Sequence, residues 1–393
     1  MAEKRKDSRG RVLKGGESQR KNGSYEYRYF DIRKKRHSVY AKSLAELREK
    51  ERDIQRDLDD GIDYAAGRIT VFELVERYLS QKRPEKHNTA VNQNFVRNLL
   101  KNEEFCKRQI YTVKPSDGKA FFIKLHDDGG YSFSTIHTIR SVLKPAFELA
   151  VEDDAVRKNP FAFTLNGVIP NDSEKRKALS AEEKKRLLTF LENDECGRKY
   201  YSVVVILLGT GLRISELCGL TKADVDFETG RIRVNKQLLR GRLAGVGRLI
   251  LEAPKSERGV RYIPMLDRAV IEAFHRVIQA RQPPKVEHIV GGCSGFLFLD
   301  KDGAPKTAAA FEHALSRLMR KYNELHDDTL RVTPHILRHT FCTELISAGM
   351  DISSVSYLMG HANVSTTLSV YTHGQYETAE KALADIVKNR AVL

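Results

Sequence analysis

Between Ile169 and Ser180 the chain reads IPNDSEKRKALS, a polar stretch without any apolar period. Such a segment reads as a linker between domains, so the parts before and after it are each expected to have a core of their own. We read 166–179 as a linker within a chain of 393 residues, long enough for two or three separate cores. The expected class is α+β and multidomain: a small three-stranded sheet with one helix, then a helical domain, then a mainly helical domain holding a small antiparallel sheet.

The apolar period changes twice before the linker. In GSYEYRYFDI, Tyr25, Tyr27 and Tyr29 alternate with Glu26, Arg28 and Phe30, the two-residue repeat of a strand. Asn22-Gly23 ahead of it is a tight-turn signal, and SVYA after the RKKRH loop reads as another strand. Ser43 and Glu46 then form a capping box that opens a helix, which closes a first domain at 1–65. From there the repeat is helical. Thr70 and Glu73 make a second box, with Val71, Leu74 and Leu79 among the residues expected to be buried. Pro145 is expected to kink or shorten its helix, and Asn159-Pro160 closes the run of a domain at 66–165.

Beyond the linker the pattern is mixed over 180–375. Ser180 and Glu183 cap a helix, and Gly209 and Gly211 are expected to break YYSVVVILLGTGL from RISELCGL. Three strand-like stretches follow at 230–239, 247–255 and 257–265. The close spacing of the last two predicts a hairpin with Lys255 near its tip. Gly349 and Gly360 read as helix ends, the second placing His361 at a helix exit. Residues 376–393 form an amphipathic tail. Strands and helices do not alternate as βαβ units, which argues against a nucleotide-binding parallel sheet.

Charge bears on the partner. The formal net charge is +15, and residues 1–42 alone carry 14 Lys and Arg against 5 Asp and Glu. A basic sheet with so few apolar positions suits a polyanion, because each neutralised phosphate releases condensed counterions. The longest apolar run, VVVILLG at 203–209, is too short to span a bilayer, and the basic N-terminus lacks the apolar region of a secretory signal. The five cysteines, Cys106, Cys196, Cys218, Cys293 and Cys342, are widely spaced with no CxxC, as expected of reduced thiols in a cytoplasmic protein.

The chemistry concentrates in TPHILRHTF, 333–341. Thr333 is an N-cap and Pro334 a first helical residue, so His335 and His339 share one helix face. Zinc hydrolases hold metal with that spacing, but they need a Glu after the first His, and here the residue is Ile336. Arg338 would also crowd a divalent cation. One histidine of such a pair is often simply packed. The set fits an anion grip better: a guanidinium matches phosphate oxygens in a rigid fork, and imidazole can move a proton near neutral pH. Taken singly, Arg213 at a helix start, His361 and Tyr371 are ordinary surface or core residues.

Their order is not ordinary. TGLRISELCGL, PKSERGVRYIP, HILRHTFCTELISAGMDISSVSYLMGH and STTLSVYTH together closely resemble the tyrosine recombinase (phage integrase) family over most of 180–375. The N-terminal KRKDSRGRVLKGGESQRKNGSYEYRY resembles the arm-binding domain of conjugative-transposon integrases. The resemblance implies catalytic Arg213, Lys255, His335, Arg338 and His361, with Tyr371 as nucleophile. Glu216 matches an acidic supporting position, and His339 a mainly structural histidine. His361 and Tyr371 stand ten apart, which we read as one residue more than in many members, and Tyr371 is preferred over Tyr376 or Tyr357.

The implied reaction is site-specific cutting and rejoining of DNA through a 3′-phosphotyrosyl bond, with no cofactor, metal or ATP. A tyrosine of pKa near 10 is only ~0.1% ionised at pH 7, so deprotonation costs about 4 kcal/mol unless the site helps. The resemblance also implies arm-type (1–65), core-binding (66–165) and catalytic (180–375) domains, and a tail (376–393) that docks in trans. Implied partners are double-stranded DNA at core and arm sites, three further copies in a tetramer on DNA, an excisionase and a DNA-bending protein. No membrane partner is expected, and the site of action is the bacterial cytoplasm. The alternatives are a catalytically silent DNA-binding regulator, a type IB-like topoisomerase and, on the histidine pair alone, a metal-dependent hydrolase. All six catalytic positions hold competent residues, which disfavours the regulator. The separate basic domain disfavours the topoisomerase, and Ile336 the hydrolase.

Overall fold

The computed structural model describes residues 5–361 apart from 32, 64–65, 83–86, 174–176, 244–245, 255–258 and 283, together with 363, 364 and 368. The chain forms two compact units, Met1–Glu174 and Lys175–Leu393. The fold is α+β. No helix among the described residues is long and apolar enough to cross a membrane.

The first unit opens with an antiparallel sheet in the order β1 (Glu17–Gln19), β2 (Tyr25–Phe30), β3 (Arg36–Ala41), followed by α1 (Leu44–Asp59). Tyr25, Tyr27, Ala41, Leu44, Leu47 and Ile54 make a thin core. The alternation in β2 is imperfect: Glu26 is buried among polar partners, with Arg28 on both of its oxygens at 3.0 Å, while Phe30 is exposed. The Ser43 box is also half formed. Ser43 accepts from the Glu46 N–H, but the Glu46 carboxylate takes the N–H of Lys42.

A partly buried relay ties this small module to the segment that follows. Arg68 donates to His37 Nδ1 at 2.9 Å, and because a guanidinium can only donate, the ring proton sits on Nε2 and faces Asp31 Oδ2 at 2.6 Å. The helices α2 (Val71–Gln81), α3 (His87–Lys101), α4 (Pro115–Asp127) and α5 (Phe133–Glu152) then enclose their own core. Thr70 and Glu73 form a complete capping box. Val71 and Leu74 are buried as expected, and Leu79 is half-buried. α5 runs through Pro145 as one continuous helix. Proline lacks only one donor, and the flanking Leu143, Ala146 and Phe147 are buried in the core.

The second unit is mainly helical. Its elements are α6 (Ala181–Asn193), α7 (Arg198–Thr210), α8 (Ile214–Gly219), β4 (Val225–Asp226), β5 (Arg231–Val234), β6 (Gln237–Leu243), β7 (Val246–Glu252), β8 (Arg261–Pro264), α9 (Arg268–Ala280), α10 (Ala308–Leu325), α11 (Pro334–Ser347) and α12 (Ile352–Met359). Residues Val203 to Leu208 of α7 are all buried, and α7 packs against α6, α9 and α11. Of the two glycines expected to break this helix, only Gly211 does. Gly209 stays helical, and its glycine serves packing, since a Cβ there would run into Val270 of α9.

The strand pairing departs from the sequence expectation. Among the described residues the 247–255 stretch does not pair with 257–265. β7 pairs with β6 over Gln237↔Glu252 to Leu243↔Val246, while β8 joins a separate sheet in the order β4-β5-β8. The 230–239 stretch is therefore two strands in two sheets. They part at Asn235-Lys236, where Lys236 Nζ leaves the strand path to meet the buried Asp224 carboxylate at 2.5 Å. Pairing neighbours in sequence closes the shorter loop and costs less entropy.

Candidate active site

The site is built where α7, α8, α11 and α12 end or begin. α7 stops at Gly211, in the left-handed region at φ 61, where Phe341 leaves no space for a side chain. Two residues later Arg213 is extended and serves as the N-cap of α8. Its backbone N–H donates to Glu216 Oε2 at 2.9 Å, and its Nη1 donates to Glu216 Oε1 at 2.7 Å. The carboxylate of Glu216 thus occupies the start of this helix.

α11 starts with Thr333 accepting from the Ile336 N–H and Pro334 in its first turn. Arg338 is buried. Its Nη1 donates to the Gly211 carbonyl at 2.5 Å and its Nη2 to the Met359 carbonyl. His335, three residues earlier, is exposed, and His339 is half-buried. Thr340 holds α11 to the chain entering α6: its Oγ1 accepts from the Leu179 N–H at 2.9 Å.

α12 is capped by Asp351 and closes at Gly360, φ 59, whose N–H returns to Tyr357 while the His361 N–H returns to Ser356. The last carbonyls of any helix lack helical partners. Here three consecutive ones each receive an arginine. Arg261 Nε donates to Leu358 O at 2.7 Å, Arg338 Nη2 donates to Met359 O, and Arg213 Nη2 donates to Gly360 O at 2.9 Å. Cations at this end also complement the helix dipole. The turn leads directly into His361.

Arg261 is the member that sequence reasoning missed. On β8, Arg261 and Ile263 point inward while Tyr262 and Pro264 point outward. An arginine at an inward position of a strand is the signal that was available in GVRYIP. It holds both oxygens of Glu216.

The charges are strongly coupled. Burial pushes the Glu216 carboxyl up, but the Arg261 hydrogen bonds and the charges of Arg261, Arg213 and Arg338 outweigh it and hold the group below its ordinary value. Burial and the neighbouring Arg213 lower Arg338 to about 9. Burial, then Arg338, Arg213 and Arg261, lower His361 to about 4, so its ring is neutral at pH 7. Two guanidiniums, one neutral imidazole and a compensated carboxylate can grip a phosphate and stabilise charge that grows on it.

Of the six residues expected to act, Arg213, Arg338 and His361 converge on the end of α12, and His335 lies on an exposed face of α11. Lys255 and Tyr371 lie outside the described residues, as do Tyr376 and the tail at 376–393. Tyr357 is described: it is half-exposed on α12, and its hydroxyl accepts from the Tyr262 N–H at 3.3 Å.

With this geometry in place, comparison with known proteins is specific. Residues 177–378 match the phage integrase family, and residues 1–58 match the DNA binding domain of Tn916 integrase. The chain is 38% identical to the transposase from transposon Tn916 of Enterococcus faecalis, over 99% of this chain and 98% of the relative. It is equally similar to the transposase from transposon Tn1545 of Streptococcus pneumoniae, with 38% identity over the same shares. A solved structure of the Tn1549 transposon integrase in complex with a circular intermediate DNA superposes with a TM-score of 0.76 at 39% identity, covering 81% of this chain and 99% of that one.

Proposed function

The chain belongs to the phage integrase family and is a site-specific tyrosine recombinase of a conjugative transposon; from that premise we propose how its residues divide the work. Arg213, Arg338 and His361 hold the non-bridging oxygens of the scissile phosphate. Tyr371 attacks the phosphorus in line, forming the Tyr371 O–P bond as the bond to the 5′ oxygen breaks. Lys255 protonates that leaving oxygen, and His335 assists proton transfer. A 5′ hydroxyl from a second strand then reverses the step on a new partner. Because the phosphotyrosyl ester keeps the bond energy, the exchange needs no ATP, and the guanidiniums supply the positive charge a metal would otherwise bring.

The observation that carries this reading is the convergence of Arg213, Arg338 and His361 on one helix end. Arg213 keeps a third of its side chain exposed, so it can reach a ligand. The test is a nicked suicide duplex cut from DNA flanking the protein's own gene, with EDTA present. Wild type should form a protein–DNA adduct on a denaturing gel, and Tyr371→Phe should bind the duplex without forming it. Binding by wild type with no adduct would favour the silent regulator.

The assembly extends the same reading. Residues 1–65 take arm sites and 66–165 take core sites on double-stranded DNA in the bacterial cytoplasm, alongside the catalytic domain at 180–375. Four copies form the working complex, with an excisionase and a DNA-bending protein as accessories. Residues 376–393 dock on a neighbouring copy. The chain truncated after 375 should therefore bind DNA but lose cooperative synapsis; unchanged cooperativity would refute the docking.

A further inference from the structure

The buried carboxylate at the centre of the site raises a problem of charge. Glu216 is 2% exposed and faces the guanidiniums of Arg213, Arg261 and Arg338. A carboxylate shut away from water demands a full cationic partner. If Arg213 were that partner, its fork would be closed on Glu216 and its charge spent before any phosphate arrived.

Arg261 meets the demand instead. It takes both carboxylate oxygens, Nη1 on Oε1 at 3.1 Å and Nη2 on Oε2 at 3.0 Å, while Arg213 gives its side chain to only one of them. Two further Arg261 donors are committed, Nε to the Leu358 carbonyl and the second N–H of Nη1 to the Gly259 carbonyl at 3.1 Å. With no side-chain exposure at all, Arg261 has no route to a substrate. It also sits where a side chain at residue 360 would have to go, since a Cβ on Gly360 would lie 2.7 Å from its Nη1. β8, the start of α8 and the end of α12 thus meet at one guanidinium.

We propose that Arg261 is a positioning residue for strand transfer: it neutralises Glu216 and pins the end of α12, so that Arg213 and Arg338 keep their charge for the phosphate and His361 stays beside them. The idea rests on the strand-transfer reading given above. It assigns Arg261 no contact with DNA, so its removal acts on the rate of cleavage and leaves affinity alone.

The experiment measures single-turnover adduct formation on the suicide duplex, DNA affinity, and the pH dependence of the rate. Arg261→Gln should slow adduct formation on the order of 10²-fold, the usual effect of misplacing a catalytic group, with affinity unchanged. The acid limb of its rate profile should move to higher pH, because one cation that suppresses His361 protonation is gone. The double variant Glu216→Gln/Arg261→Gln removes both charges and should recover a large part of the lost rate, which a purely structural strut would not allow. Should Arg261→Gln fail to fold, Arg261→Lys carries the test, with the charge kept and the fork lost, and an intermediate rate expected. Wild-type rates in Arg261→Gln or Arg261→Lys, or a double variant no faster than the single, would overturn the proposal. No adduct from wild type would overturn the strand-transfer reading and the proposal together, which keeps the two failures distinct.

Discussion

Arg261 and Glu216 form a two-pronged ion pair at 3.1 and 3.0 Å, with the arginine side chain fully shielded from solvent and the glutamate nearly so. Removing one partner of a buried pair strands the other, at a cost of about 3–5 kcal/mol. Glu216→Ala should lose that much stability in urea unfolding of the full chain. A loss below about 1 kcal/mol, the range of exposed pairs, would mean that water reaches Arg261 once the carboxylate is gone.

Two glycines with similar backbone angles should respond differently to the same change. Gly23 at φ 80 has open space around it, whereas Gly360 at φ 59 lies against Arg261. A left-handed alanine costs about 1–2 kcal/mol in either place. Gly23→Ala should show only that penalty. Gly360→Ala should also displace Arg261 and slow adduct formation on the order of 10²-fold, with DNA affinity retained. Equal adduct rates for the two variants would refute the clash.

The depressed His361 value sets a pH window. Above about 6.5 the ring is neutral in both the folded and unfolded chain. Between 6.5 and about 4 the unfolded chain binds a proton that the folded site refuses, so this group's contribution to stability falls as pH falls. Melting temperatures of wild type should decline across that window more steeply than those of His361→Gln. Parallel curves would show that the imidazole accepts a proton in place.

The relay in the N-terminal module predicts a local effect. His37→Leu leaves Oδ2 of the buried Asp31 without its partner, a penalty of about 1–3 kcal/mol. Hydrogen exchange should speed up in β2, β3 and α1, with α2 and α5 unchanged. Uniform change across the first unit would show that the module and the helices open together.

How much of this was readable depends on how local the cause is. The strand at Tyr25–Phe30, the Thr70 and Ser180 boxes, the helix from Thr333 and the end at Gly360 all follow from residues a few positions apart, and they stand as expected. Arg213, Arg338 and His361 were visible as motif positions, and their meeting at α12 adds the geometry. What escaped depended on distant partners. β7 and β8 have similar strand character, so composition could not tell which earlier strand each would join. Gly209 looked like a break until Val270 was known to lie over it. Arg261 was passed over because its partner Glu216 lies 45 positions away in sequence.

The turn that receives three arginines has a consequence for how this enzyme can be dissected. Leu358, Met359 and Gly360 end their helix on the same side chains whose charges face Glu216, so each arginine is both a charge of the site and a helix stop. An eight-residue helix has little stability of its own. Truncating any of the three therefore removes a fold element along with a charge, and a dead variant made that way says nothing about chemistry alone. Only changes that keep the cap while altering the charge, or that alter both members of a pair, separate the two roles.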